Sequence, residues 1–120
     1  MDRVRIGRRG LRYAGSTSPK AHKLLAPLRR NIRAETGTQD FVAKAPLNLV
    51  YVAHGERMDD ISAEDRRLYA WVDSGFIGQN VYLLCTSEEL AIVFRAALDY
   101  TKLAPTTELG TGQFVTFAQS

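Results

Sequence analysis

SAEDRRLYAWVDSGFIGQNVYLLCTSEELAIVFRAALD, residues 62–99, is the stretch whose reading decides the fold. It opens on Ser62 with Asp65 three residues on, a side-chain oxygen for the first free amides and a carboxylate for the positive first turn of a helix. From there Leu68, Tyr69, Trp71, Val72, Phe76, Ile77, Val81, Tyr82, Leu83 and Leu84 cover nearly the whole circumference at about 100° per residue. That pattern predicts a central helix buried on most sides. Asp73, Gln79 and Asn80 interrupt it, and their desolvation in lipid would be costly, so the helix reads as part of a protein core and not as a membrane span. Each of the three then needs a hydrogen-bond partner.

Two glycines, Gly75 and Gly78, sit inside the same helix, where each lowers helix propensity by about 1 kcal/mol relative to Ala. Close approach of a packed helix or of a second subunit would account for them; tolerated weak spots are the alternative. Past Cys85 the run LAIVF, residues 90–94, is apolar and of strand length. Arg95 follows it, then a short helix over residues 99–104 closed by Pro105.

Upstream, LNLVYVAH, residues 47–54, is rich in β-branched and aromatic residues and bounded by Pro46 and Gly55. It predicts an interior strand, because both of its faces are apolar. HGERMDD, residues 54–60, is the loop to the central helix, and QFVTFAQ, residues 113–119, predicts a last strand after a turn-rich segment. Around Gly37 a turn is expected, with a brief helical turn at Phe41 and Val42. Over residues 18–34, Ala21, Leu24, Leu25, Leu28 and Ile32 recur at helical spacing, predicting an amphipathic helix kinked or divided at Pro27. Residues 1–15 suit either a strand with a basic edge or a frayed arm.

SGFIGQNVYLLCTSEELAIVFRAALD resembles the core of the nitroreductase-like flavoproteins, in which a buried helix of the form aGxxxQNxyL leads into a strand ending in an arginine. TGTQDFVAKAPLNLVYVA, residues 36–53, is similar to the strand and lead-in that precede that helix, and GLRY, residues 10–13, to an earlier hairpin strand. The resemblance implies an α+β fold, an antiparallel-type sheet packed on a central buried helix, with residues 1–35 as a basic arm and amphipathic helix and residues 36–120 as the core of a single domain. Family members are about 200 residues long and hold FMN partly through an arginine-rich segment near the amino terminus. No such segment lies in this chain, which therefore resembles the carboxy-terminal half. Two family glycines are replaced, by Glu89 and Ala96, and the first replacement implies a strained left-handed helix end.

The resemblance further implies an oxidoreductase that uses FMN and NAD(P)H to reduce a small-molecule electron acceptor, complete or incomplete, and a homodimer. It puts Val93, Arg95 and Ala96 near the cofactor, with Arg95 meeting an anion or the flavin ring. An ion pair with Asp99, four residues on, is the residue-level alternative for Arg95. Gln79 and Asn80 are expected to serve packing, and Trp71 and Tyr82 to be core or dimer-contact aromatics.

With 120 residues, 45% of them hydrophobic, the chain can bury one small core. The net charge of +3 hides a division: residues 1–33 carry ten Lys or Arg against one acid, the rest six against twelve. Such a basic third could meet nucleic acid or an acidic partner, the alternative function, although a solvated basic face is the commoner outcome. A single cysteine, Cys85, excludes an internal disulfide, suits a reducing cytoplasm and reads as a buried thiol. No apolar segment follows the N-terminal charges as in a secretory signal. His22 and His54 are isolated, so no metal is expected, and no nucleophile elbow or phosphate-binding loop occurs.

Overall fold

The structure, a computed structural model, describes the backbone of Asp2–Gly7, Gly10–Ser16 and His22–Leu28. It describes residues 31–58, 60–107 and 109–120 with their side chains, Thr106 by its backbone alone. Six strands, β1 (Asp2–Gly7), β2 (Gly10–Ser16), β3 (His22–Leu28), β4 (Leu47–His54), β5 (Phe94–Arg95) and β6 (Gln113–Gln119), form one sheet in the order β3-β2-β1-β4-β6-β5. Every pairing is antiparallel. Three helices, α1 (Asp40–Lys44), α2 (Ala63–Ser87) and α3 (Tyr100–Thr106), complete an α+β architecture.

β4 lies in the interior of the sheet, between β1 and β6, as its two apolar faces require, and Val50, Tyr51, Val52 and Ala53 are all buried. On one face Val50 and Val52 join Val115, Ala118, Ile32 and Leu103 in the main apolar cluster. Val52 pairs with Val115 and Val50 with Ala118, so β6 carries one residue more than β4 over this interval. That bulge lets two residues three apart reach the same core.

The other face meets α2 through a polar seam. Ser74 Oγ donates to the Ala70 carbonyl at 2.7 Å and lies 2.5 Å from Thr116 Oγ1. Gln119, fully buried, donates from Nε2 to the Gly78 carbonyl at 3.1 Å and accepts from the Tyr51 hydroxyl. Small residues on the helix make this possible: a Cβ on Gly78 would stand 2.5 Å from the Phe94 ring. The close neighbour of Gly78 is thus a side chain of β5 and not the helix or subunit expected. Gly75 has nothing within 4 Å of where its Cβ would be.

Only Ala70, Ser74, Gly78 and Cys85 of α2 are buried. This corrects the helix buried on most sides: Leu68, Val72, Phe76 and Leu83 face away from the sheet, Phe76 at 70% exposure. Asp73, Gln79 and Asn80 are exposed as well, so water serves them where buried partners were expected. The start of α2 follows the sequence, for Ser62 Oγ accepts from the Asp65 amide at 3.0 Å.

Three further expectations are corrected. Residues 22–28 form a strand, not a helix: Leu24 and Leu28 pair with Ala14 and Leu11, and Pro27, which would break a helix, is tolerated because β3 is an edge strand. Residues 17–21, 29 and 30 lie outside the described residues. β5 is shorter than the LAIVF run, because the Leu90 amide is spent on the Cys85 carbonyl at the end of α2. Pro105 lies inside the last turn of α3 and does not close it.

The end of α2 shows the strain expected of Glu89. Its φ is 54°, and the Glu89 amide bonds to the Thr86 carbonyl while that of Leu90 bonds to Cys85, the paired bonds of a Schellman motif. A side chain in this left-handed position costs about 1–2 kcal/mol. Glu89→Gly should therefore stabilise the protein by about 1 kcal/mol, read as a raised urea midpoint at unchanged slope.

Candidate functional site

The three residues singled out from the sequence fall on and beside β5, at one edge of the sheet. Val93 precedes the strand, exchanging two backbone hydrogen bonds with Ser120 at 2.9 and 3.1 Å. It is 40% exposed and Ala96 is also exposed, whereas Arg95 between them is buried, at 3%.

The Arg95 guanidinium is held from three directions. Nη1 donates to the Thr36 carbonyl at 2.8 Å, Nη2 to Asn48 Oδ1 at 3.1 Å and Nε to Ser120 Oγ at 2.9 Å. Ser120 Oγ also donates to Asn48 Oδ1, and Asn48 Nδ2 donates to the Val42 carbonyl at 3.0 Å. One side chain thereby joins the 3-10 turn Arg33–Thr36, the start of β4, β5 and the residue after β6. All three acceptors are neutral, and burial holds the guanidinium below its usual pKa. Gly37 leaves it room: a Cβ there would overlap Nη1 and come within 3.1 Å of the Ala97 carbonyl.

Asp99 takes no part in this cluster, so the local ion pair with Arg95 is not formed. Its Oδ2 lies 2.9 Å from Lys102 Nζ, and its Oδ1 accepts from Thr101 Oγ1 at 2.7 Å and from the Lys102 amide at 3.2 Å, capping α3. The Lys102 and Thr101 side chains lower its pKa from 3.8 to about 2. Among the aromatics, Tyr82 is half-buried and its hydroxyl accepts from the Phe94 amide at 2.7 Å. Trp71 is 46% exposed, with an edge contact to Phe117. Cys85 is buried, as its apolar surroundings suggested. Among the described residues no group of His, Cys, Asp and Glu could hold a metal ion, and no helix is long and apolar enough to cross a membrane.

Thr36, Gly37, Asn48 and Ser120 escaped the sequence reading. Thr36, Gly37 and Asn48 lie 47 to 59 positions before Arg95 and Ser120 lies 25 after it, and nothing local marks them as its partners. The basic surface expected of residues 1–33 cannot be placed, since Arg8, Arg9, Lys20, Arg29 and Arg30, and the side chains of β1, β2 and β3, lie outside the described residues.

An antiparallel sheet backed by a long helix that runs back into an edge strand ending in a buried arginine defines a class of α+β protein, and sequence comparison gives the class its family. The sequence profile of the Nitroreductase family matches residues 12–119, so the chain belongs to that family. A crystal structure of a protein assigned to the nitroreductases, from Ralstonia eutropha JMP134, superposes with a TM-score of 0.82 at 32% sequence identity, over 99% of this chain and 55% of that one. The chain thus spans about half the length of that relative. No curated protein sequence matches it.

At the β5 edge the described residues do not by themselves fit the phosphate of a flavin mononucleotide. A phosphate needs cationic or amide donors open to it once it leaves water. The one arginine on β5 is 3% exposed and has three of its donors tied to protein oxygens. Arg95 acts on the β5 edge from within, holding Val93 and Ala96 in place.

Two measurements check these assignments, one for the Arg95 cluster and one for the Asp99 cap of α3. Gly37→Ala should destabilise by about 2 kcal/mol through overpacking against a tethered guanidinium, and in a double-mutant cycle with Arg95→Met, followed by urea unfolding, the double mutant should lose less stability than the two single mutants together. Asp99 has a folded pKa below its unfolded value, so its contribution is complete above pH 3.8 and is lost as the pH falls towards 2. Melting temperatures across that window should fall less steeply for Asp99→Ala than for the parent.

Proposed function

We propose that the chain is the carboxy-terminal half of a nitroreductase-type oxidoreductase, one that uses FMN and NAD(P)H to reduce a small-molecule acceptor. The observation that carries this reading is the family match over residues 12–119. FMN, when bound, supplies the redox chemistry. This chain supplies an exposed edge, Val93 and Ala96, made rigid by Arg95. The phosphate-binding cations come from outside the β5 edge: from elsewhere in this chain, from a further polypeptide segment or from a second copy.

A homodimer belongs to the same reading. The outward face of α2, with Leu68, Val72, Phe76 and Leu83 exposed and an open notch at Gly75, is the kind of surface that soluble monomers seldom leave uncovered. Soluble behaviour in a reducing cytoplasm accords with the lone buried thiol.

Purification of the 120-residue chain, alone and together with a protein segment covering the rest of a full-length relative, tests the reading. The pair should be yellow and oxidise NAD(P)H when FMN is added, and the single chain should bind FMN weakly or not at all. Colourless protein in both preparations, with no FMN affinity at about tens of micromolar, would remove the enzyme and leave the fold.

A further inference from the structure

A concavity lies at the end of β6 away from Arg95, lined from the amino-terminal half of α2 and from α3. It has a volume of about 400 Å³. Its walls are aromatic: Trp71 from α2, Tyr100 from α3 and Phe114 from β6, with Trp71 and Tyr100 46% and 42% exposed. Neither exposed ring is loose. The Tyr100 hydroxyl donates to the Thr116 carbonyl at 2.9 Å, and Trp71 packs edge-on against Phe117 at 6.0 Å.

One cation serves this space. The Arg67 guanidinium lies over both Trp71 and Phe114, 5.9 Å from each ring centre, and among the described residues no carboxylate or hydrogen bond engages it. Gln113, the other polar side chain on the wall, is already committed: Nε2 meets His54 at 2.7 Å and Oε1 accepts from the Gly110 amide at 2.8 Å. What remains is a planar donor with its fork unused, backed by π faces that favour a cation and disfavour a second negative charge.

We propose that this cavity, with Arg67 as its anion receptor and Trp71, Tyr100 and Phe114 as its walls, binds a planar aromatic monocarboxylate. The carboxylate pairs with the guanidinium and the ring takes the apolar wall, a division of labour usual in small-molecule sites. Phosphate suits the place poorly, because its second charge would find no second cation. Phe114 and Ala118 are four positions apart on β6, about 13 Å at strand rise, so the cavity is separate from the Arg95 edge and the proposal does not rest on the flavin reading.

Trp71 is the only tryptophan in the chain, which makes its fluorescence a local reporter. Benzoate titrated into the 120-residue protein should change that emission saturably, with half-effect at roughly millimolar concentration. Benzamide, which keeps the ring without the charge, and acetate, which keeps the charge without the ring, should each be weaker by about tenfold or more. Arg67→Gln should bring benzoate down to the level of benzamide and leave benzamide unchanged, while Arg67→Lys should retain part of the difference. Amide shifts in nitrogen-15 spectra should gather at Tyr100 and residues 113–115. No saturation by about 50 mM benzoate, equal binding of benzamide, an unaffected Arg67→Gln, or shifts gathered at residues 93–97 would each overturn the proposal.

Discussion

The buried guanidinium of Arg95 is the contact on which the edge of this sheet depends. β5 has two residues and a single neighbour, too little ladder to hold an edge strand in place. Three hydrogen bonds from one side chain supply what the ladder lacks, binding it to the turn before α1, to β4 and to the end of β6. Hydrogen bonds from a charged donor to neutral acceptors are worth about 1.5–3 kcal/mol each when they compensate for lost water, so the cluster can carry the cost of a desolvated charge. Asn48 is its pivot, accepting from Arg95 and Ser120 while its amide reaches Val42.

Between sheet and long helix the physics is different. A seam of hydroxyls and one buried amide runs through Ser74, Thr116, Tyr51 and Gln119, and the helix comes near because its residues there are alanine, serine and glycine. Hydrogen bonds fix the register of α2 on β6 more narrowly than apolar packing would, since a shift by one residue would leave several polar groups buried without partners. The apolar cluster around Val50, Val52, Val115 and Leu103, on the opposite face, supplies the non-directional part of the stability.

Much of the central region was legible because its signals are local. The cap at Ser62, the interior strand LNLVYVAH and the last strand QFVTFAQ are each specified by residues a few positions apart. Glu89 was legible through the family pattern, in which a glycine stands at the left-handed end of the helix. Residues 22–28 were not, because leucine spacing that suits a helix also suits a paired edge strand, and only the partner β2 decides between them. The extent of burial on α2 was misread for a related reason: an apolar circumference states that a helix is to be covered, not that this chain covers it. Val93, Arg95 and Ala96 were singled out as one segment, but the residues that hold the Arg95 guanidinium come from distant parts of the chain.

That uncovered face changes what folding means for this chain. With Leu68, Val72, Phe76 and Leu83 in water on the far side of α2, part of the hydrophobic free energy encoded in the helix is not collected within these 120 residues. Whatever buries the face adds that share by mass action, so melting temperature becomes a function of the concentration of the covering surface as well as of the sequence. A second copy or other surface laid on this face would so enter the stability of the folded chain itself.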